Sequence, residues 1–252
     1  MGRWALLALL WSAAANAQDA LSIAESAFAE SNLDAASAAL RDALASGALD
    51  SRSLARVYVL EGVIAVADGQ QEVASRAFER ALILAPETET PAELGPDEAA
   101  AFEDLRRRAE ESPLTLELDH EPVLPGAPVV VQATVRHRSD ELVARLQAAV
   151  LDGEEVAWSG TSLDGAFAIP ETQRRGDSLR VRVRAVDPRG NTVREETLSV
   201  ALPQVEANPE PNVLVTPPAP EEEATPLRHK WWLWTIVGVV VGAGAAGVGI
   251  WA

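Results

Sequence analysis

The sequence predicts a multidomain α plus β protein, and three patterns along the chain carry that prediction. Apolar residues recur at helical spacing through residues 18–111, whereas apolar and polar residues alternate through residues 113–202. A stretch of 22 residues without a charge, 231–252, closes the chain. We therefore expect a helical domain, a β-rich domain, a linker over residues 203–230 and a C-terminal transmembrane helix, in that order.

The N-terminus has the pattern of a cleavable secretory signal. Arg3 precedes an apolar run from Trp4 to Ala15, and the small residues Ala15 and Ala17 form a cleavage site. The run is too short to cross a bilayer. We expect residues 1–17 to be removed on export, and the alternative is an uncleaved apolar start to the first helix.

The predicted helical domain carries most of the negative charge of the chain. Residues 18–111 hold 19 acidic and 8 basic side chains, a net −11 out of −17. Breaks at Gly47, Gly69 and Pro86 divide the segment into helices. We predict four helices near 20–31, 33–46, 52–67 and 70–85, and a fifth that starts after Pro96, is capped by Asp97 and ends near Glu111.

Seven residues of the third and fourth predicted helices have the spacing of a known repeat. They are Tyr58, Gly62, Ala65, Ala74, Phe78, Ala81 and Pro86. With this spacing the segment resembles the tetratricopeptide repeat (TPR), although Glu61 replaces the usual leucine. A degenerate copy lies 38 residues earlier, at Ala20, Ala24, Ala27, Ala36, Leu40 and Ala43.

The resemblance implies a binding module, because such repeats generally present a concave face to peptide segments of partner proteins. The framework of that groove would be Tyr58, Gly62, Ala65, Ala74 and Phe78. Two copies are fewer than the roughly three that make a stable stack, so we expect the fifth helix to cap them. The acidic surface would favour a basic or polar partner segment, and the alternative is a solvated face that keeps the protein soluble.

The β-rich segment predicts a sandwich of seven short strands. They lie near 114–118, 129–135, 143–151, 154–160, 165–170, 178–187 and 192–201, with turn residues between them. The runs 165–170 and 176–191 resemble strands of immunoglobulin-like and fibronectin-type-III-like modules of bacterial surface proteins. The resemblance implies a fold and no ligand.

Three arginines alternate along the sixth predicted strand and share one face. Arg180, Arg182 and Arg184 would form a face that binds an anionic glycan or phosphate. The alternative is that they pair across strands with acidic residues, Glu195 or Glu155.

The C-terminal part predicts a stalk and an anchor. Residues 203–227 contain 7 of the 16 prolines and five glutamates, a composition that favours a disordered linker. Tryptophans flank the charge-free run, as expected where a transmembrane helix meets the two interfaces. Gly238 and Gly242 lie four apart, so two copies of this helix would approach closely enough for a homo-oligomer.

The topology has two interpretations. A cleaved signal places the body on the extracytoplasmic side of a bacterial envelope membrane, in the periplasm. However, Arg228 and Lys230 would then break the positive-inside tendency. The rival is a tail-anchored cytoplasmic protein.

The composition disfavours several function classes. The chain has no cysteine, which excludes thiolate catalysis and cysteine-ligated metals. Its three histidines are far apart in sequence, no phosphate-binding glycine loop is present, and the net charge of −17 disfavours nucleic acid. We expect no catalytic residue, no metal and no cofactor.

These patterns together predict a non-enzymatic, membrane-anchored envelope protein that mediates protein–protein interaction or scaffolding through its TPR-like head. The alternative is a cell-wall or carbohydrate-binding adhesin that uses the arginine face of the β-sandwich.

Overall fold

The computed structural model describes residues 3–136, 142–153 and 155–203, and these form an α plus β protein. Five helices precede seven strands, and the strands form two antiparallel sheets. The helices are α1 Arg3–Ala29, α2 Leu33–Ala45, α3 Ser51–Ala67, α4 Gln71–Leu84 and α5 Pro96–Glu111. The strands are β1 Thr115–His120, β2 Val129–Arg136, β3 Arg145–Asp152, β4 Glu155–Ser162, β5 Ala166–Ile169, β6 Ser178–Val186 and β7 Thr192–Ala201.

The helix boundaries follow the predicted breaks because local residues cap the helix ends. The Asn32 side chain accepts a hydrogen bond from the backbone N–H of Ala35 at 3.2 Å, and Asp50 accepts one from Ser53 at 2.8 Å. One detail differs: Pro96 is the first residue of α5 and Gly95 precedes it. Asp97 is therefore not the cap, but it lies in the first turn, where the helix dipole favours a carboxylate.

The first helix begins earlier than the sequence predicts. It runs continuously from Arg3 to Ala29, through the predicted signal cleavage site. Ala17 and Leu21 are buried, and the Gln18 side chain donates a hydrogen bond to Ser53 Oγ at 2.8 Å. The residues just after the predicted cleavage site therefore contact α3.

The predicted anchor is outside the described residues, and so are Gly238 and Gly242. Within residues 3–136, 142–153 and 155–203, no helix combines the length and the apolar character that crossing a membrane requires.

The two sheets have the strand orders β1-β2-β5 and β4-β3-β6-β7. All neighbouring strands are antiparallel. Alternate residues of the strands point into a shared apolar core, as Val131 does from the first sheet and Val181 and Val183 do from the second. The alternation of apolar and polar residues in the sequence thus corresponds to side chains that are buried and exposed in turn along each strand.

The helices and the sheets share this apolar core. Leu49 and Leu54 from the helical part belong to the same cluster of buried residues as Val131 and Val181. All described residues lie within one compact unit, Met1–Val205. The predicted helical and β-rich domains therefore contact each other directly over an apolar interface.

A second, smaller apolar cluster joins α4 to α5. Phe78 and Phe102 are both buried, and their rings meet edge to face with centroids 5.1 Å apart. This geometry is a favourable one for two aromatic rings. It covers the apolar side of α4 that the sequence predicts the fifth helix to cover.

Candidate functional site

The five predicted framework residues lie where α3 crosses α4, and all are buried. Tyr58, Ala65, Ala74 and Phe78 are each at most 5% exposed, and Gly62 is buried with them. They determine how closely the two helices approach, but none of them presents a side chain to a ligand. The surface that they support is formed by their neighbours.

The close approach depends on Gly62. A Cβ at this position would overlap the ring of Phe78, which is itself held against Phe102. Because the ring is enclosed on both sides, it has little room to move away. Only glycine therefore allows this separation between α3 and α4.

A cleft lies on the surface above this helix crossing. It has a volume of about 320 Å³, and its lining residues are Glu61 of α3 with Val73, Arg76, Ala77 and Arg80 of α4. The two arginines are one helical turn apart and so share one face of α4. The charged lining residues are thus one carboxylate and two guanidinium groups, in a helical part that as a whole is acidic.

Arg80 lies over the aromatic ring of Tyr58, with its guanidinium carbon 5.8 Å from the ring centroid. This is the geometry of a cation–π contact. Burial raises the pKa of the Tyr58 hydroxyl above 10.0, and the Arg80 charge partly opposes that shift. The Tyr58 hydroxyl is therefore neutral at physiological pH, and the charged group in this contact is the Arg80 guanidinium.

Glu61 is half-buried beside these cations. Burial raises the pKa of its carboxyl above 4.5, while the charges of Arg80 and Arg189 lower it by a smaller amount. Removal from water disfavours the ionised carboxylate more than the two arginines favour it. Arg189 belongs to the loop between β6 and β7, so the cleft is influenced by both the helices and the sheets.

The β6–β7 loop is fixed by two buried polar residues, Asp187 and Asn191, which are 2% and 0% exposed. Asp187 Oδ1 accepts backbone hydrogen bonds from Arg189, Gly190 and Asn191 at 2.7–2.8 Å. Asp187 Oδ2 accepts a fourth bond, from Asn191 Nδ2 at 2.9 Å. Four hydrogen bonds to one carboxylate give the loop a single conformation.

Asn191 also bonds this loop to the helical part. Its Nδ2 donates to the carbonyl of Leu44 at 3.0 Å, and its Oδ1 accepts from the N–H of Leu49 at 3.1 Å. The N–H of Thr192 donates to the carbonyl of Leu49 at 2.8 Å. We call Asp187 and Asn191 the loop latch, because they hold the β6–β7 loop against the segment between α2 and α3.

The arginine face lies on the exposed side of β6. Arg184 is opposite Glu195 on β7 and forms an ion pair with it, and the Nε of Arg182 lies 4.0 Å from the same carboxylate. Burial lowers the pKa of Arg182, as does the neighbouring charge of Arg184. Of the two predicted acidic partners, Glu195 is therefore the one that pairs with the arginine face. Glu155 lies opposite Asp152 instead.

Arg180 lies at the other end of this face, opposite Ser199. It lines a cleft of about 180 Å³ together with Arg175, Asp152, Gln173 and others. Arg175 is 2.6 Å from Asp152, an exposed ion pair. This end of the arginine face is therefore polar and concave, with one of its cations already paired.

Sequence reasoning identifies the framework but misses the residues that line the cleft. The available signal is the departure of Glu61 from the repeat pattern, together with Arg76 and Arg80 one turn apart in an acidic segment. Arg189 does not line the cleft, but its charge acts on Glu61. The sequence carries no signal for this effect, because Arg189 is more than 100 residues from α4.

Comparison with known proteins gives no relative: no protein-family model, no curated protein and no solved structure matches this chain.

Proposed function

We propose that this chain is a non-enzymatic, membrane-anchored envelope protein that captures a protein partner with its helical head, through the cleft between α3 and α4. The observation that carries the proposal is the cleft itself: two arginines and a half-buried glutamate line a concave surface above a rigid helix crossing. Charged groups that converge on a concave surface can hold a polar segment of a partner through charge-assisted hydrogen bonds.

We also propose that the helical head is TPR-like and that the two sheets form an immunoglobulin-like sandwich. The tight contact of Gly62 with Phe78 supports the first assignment, since the repeat requires a small residue at this crossing. The strand orders β1-β2-β5 and β4-β3-β6-β7 support the second, because three strands facing four is the arrangement of such sandwiches.

The export and the membrane anchor belong to the same proposal and are supported by the sequence. A signal over residues 1–17 and a charge-free run over residues 231–252 would place the body on the periplasmic side of a membrane. Protease added to intact spheroplasts tests this topology. Digestion of the body is the expected result, and full protection would favour the cytoplasmic alternative.

Crosslinking in the native cell tests partner capture by the helical head. We expect the full chain to give a specific crosslinked species that is lost in Arg76→Glu, because this change reverses an exposed charge in the cleft. The matched control is Arg41→Glu, which reverses an exposed charge on α2, outside the cleft. Equal crosslinking by both variants, or loss in both, would contradict a role for the cleft.

The second candidate function is binding of an anionic cell-wall glycan by the arginine face. The observation in its favour is that Arg180 lies opposite Ser199 on β7 and Leu151 on β3, neither of them acidic, and lines a polar cleft. Binding to peptidoglycan or a glycan array that falls on changing Arg180 to Ala, and is kept in Arg76→Glu, would support this function over the first.

A further inference from the structure

The register of the four-stranded sheet places the arginine face within a larger polar surface. Residues directly opposite each other in antiparallel strands project from the same side of a sheet. Leu179, Val181 and Val183 of β6 are buried in the core, so the arginines that alternate with them project from the outer side. The residues opposite these arginines on β3 and β7 therefore share that outer side with them.

The outer side carries hydroxyl groups beside the arginines. The residues of β7 opposite Arg180, Arg182 and Arg184 are Ser199, Thr197 and Glu195, in that order. Ala149 of β3 lies opposite both Arg182 and Ser159 of β4, so Ser159 lies in the same row as Arg182. With strands about 4.8 Å apart and alternate residues about 6.8 Å apart, these positions cover about 14 Å in each direction. We call them the outer surface.

The outer surface is positively charged, although the segment that forms it is acidic. Residues 113–202 hold 14 acidic and 10 basic side chains, whereas the outer surface has three arginines and one carboxylate, that of Glu195. Glu195 forms an ion pair with Arg184, and its Oε2 lies 4.0 Å from the Nε of Arg182. One carboxylate therefore has two guanidinium groups to neutralise.

The remaining positive charge is concentrated on Arg180 and Arg182. Arg180 is exposed, and in the part of the chain that the structure describes no acidic residue pairs with it. The side chain of Arg182 is 26% exposed, and within the same residues its Nε has no hydrogen-bond partner. A guanidinium group that is partly removed from water gains strongly from an added anion, because charge-assisted hydrogen bonds are stronger in such surroundings.

The neighbouring side chains indicate the kind of anion that fits. Ser159, Thr197 and Ser199 are exposed, and their hydroxyl groups both donate and accept hydrogen bonds. Trp158 lies opposite the buried Val150 and so belongs to the core side of the sheet. The outer surface thus lacks the aromatic anchors on which protein partners usually depend. A ligand with both anionic and hydroxyl groups matches it better than an acidic protein segment.

We propose that the outer surface binds an anionic polysaccharide. Arg180 and Arg182 hold its carboxylate or phosphate groups. The hydroxyl groups of Ser159, Thr197 and Ser199 bond to hydroxyl groups of its sugars. This inference rests on the second candidate function, the glycan-binding arginine face, and adds the class of ligand and the residues that contact it.

Glu195 limits the affinity of this site. Its carboxylate attracts the same guanidinium groups that hold the ligand, and it repels the anionic groups of the polysaccharide. The uncharged glutamine at this position would release Arg184 and remove the repulsion. Binding should therefore become tighter in Glu195→Gln, a result that a poorly folded variant would not give.

Equilibrium binding of the purified full chain to polygalacturonate tests the inference, with neutral dextran as the matched polymer. We expect polygalacturonate to bind and dextran not to bind, and we expect the affinity to fall as salt is added. Arg180→Ala and Arg182→Ala should each bind about threefold to tenfold more weakly. Glu195→Gln should bind about twofold to fivefold more tightly.

The control variant is Arg136→Ala, which removes an exposed arginine of the other sheet that is ion-paired with Glu117. It should bind polygalacturonate as the native chain does. Four results would overturn the inference: no binding, unchanged binding in both variants of the outer surface, weaker binding to Glu195→Gln, or equal affinity for polyglutamate. The last result would assign the outer surface to an acidic protein segment.

Peptidoglycan binding separates failure of this inference from failure of the second candidate function. If peptidoglycan binding falls in Arg180→Ala while polygalacturonate does not bind, the glycan-binding function stands and the anionic class of ligand is wrong. If polygalacturonate binds as expected while peptidoglycan does not, the class of ligand stands and the cell-wall function is wrong.

Discussion

At the scale of single residues, the most consequential side chain is Asn191. It is fully buried, and its amide bonds to Leu44, Leu49 and Asp187 at once. Two of these partners lie more than 140 residues away in sequence. A buried polar group with this many partners is costly to remove, because each partner would lose its bond in a site that water does not reach.

We expect Asn191→Ala to lower the free energy of unfolding by about 2–4 kcal/mol, since it leaves the carbonyl of Leu44, the N–H of Leu49 and the Asp187 carboxylate each short of a bond. Chemical denaturation of the two proteins measures the difference. Gln132→Ala, an exposed position in β2, is the control and should change stability little. A loss below about 1 kcal/mol would mean that the latch contributes little.

Glu61 allows a prediction about pH. Because burial raises the pKa of its carboxyl above 4.5, folding disfavours the ionised form. The destabilisation is therefore fully present above the folded pKa and disappears as the pH falls below the unfolded pKa. The charged groups that act on this carboxyl, Arg80 and Arg189, reduce the effect without reversing it.

We accordingly expect Glu61→Gln to be more stable than the native protein at neutral pH, with a difference that shrinks as the pH falls through 4.5. Thermal unfolding at neutral pH and at a pH below that value measures both. The opposite sign at neutral pH would show that Glu61 forms a net stabilising ion pair with the arginines.

At the scale of elements, α5 completes the helical part by covering α4. Phe102 is fully buried in the cluster that contains Phe78, whereas Leu105 on the same helix is only half-buried. Fully buried aromatic rings contribute through their large apolar area and through the edge-to-face contact.

We expect Phe102→Ala to lower the free energy of unfolding by about 3–5 kcal/mol, as is usual for deletion of a buried aromatic ring. Leu105→Ala, on the same helix, should cost clearly less. Denaturation of both variants measures the two losses, and limited proteolysis should cut α5 first in Phe102→Ala. Equal losses would show that α5 is held by another contact.

At the scale of the whole molecule, the helices and the sheets behave as one structural unit because they share an apolar core and the loop latch. The sheets therefore contribute to the core on which α3 packs.

We expect the helical and β-rich parts to unfold together in one transition. Loss of helical ellipticity and loss of hydrogen-exchange protection in β6 and β7 should have the same midpoint in denaturant. Helices that melt first, while the strand amides stay protected, would contradict a shared core. In Asn191→Ala the two midpoints should begin to separate, because the latch is the polar part of the interface.

The sequence by itself determined the elements of this protein. Helical spacing with breaks at Gly47 and Gly69, and alternation in the strands, are local patterns, so the last four helices and the seven strands were predictable to within a few residues. The start of α1 was not, because the apolar run before residue 18 has the pattern of a signal and continues the helix in the structure. The sequence offered Glu195 and Glu155 as acidic partners of the arginine face, and the register of β6 with β7 selects Glu195 for Arg184.

Only the tertiary structure decided where the candidate site lies and which charge it carries. The cleft depends on the crossing of α3 and α4. The β6–β7 loop, which carries Arg189, is held against the helical part by the hydrogen bonds of Asn191 to Leu44 and Leu49. Net charge sums over the whole helical part, whereas binding responds to the few charges within reach of one another. For that reason an acidic helical segment folds so that two arginines and one glutamate line the same cleft.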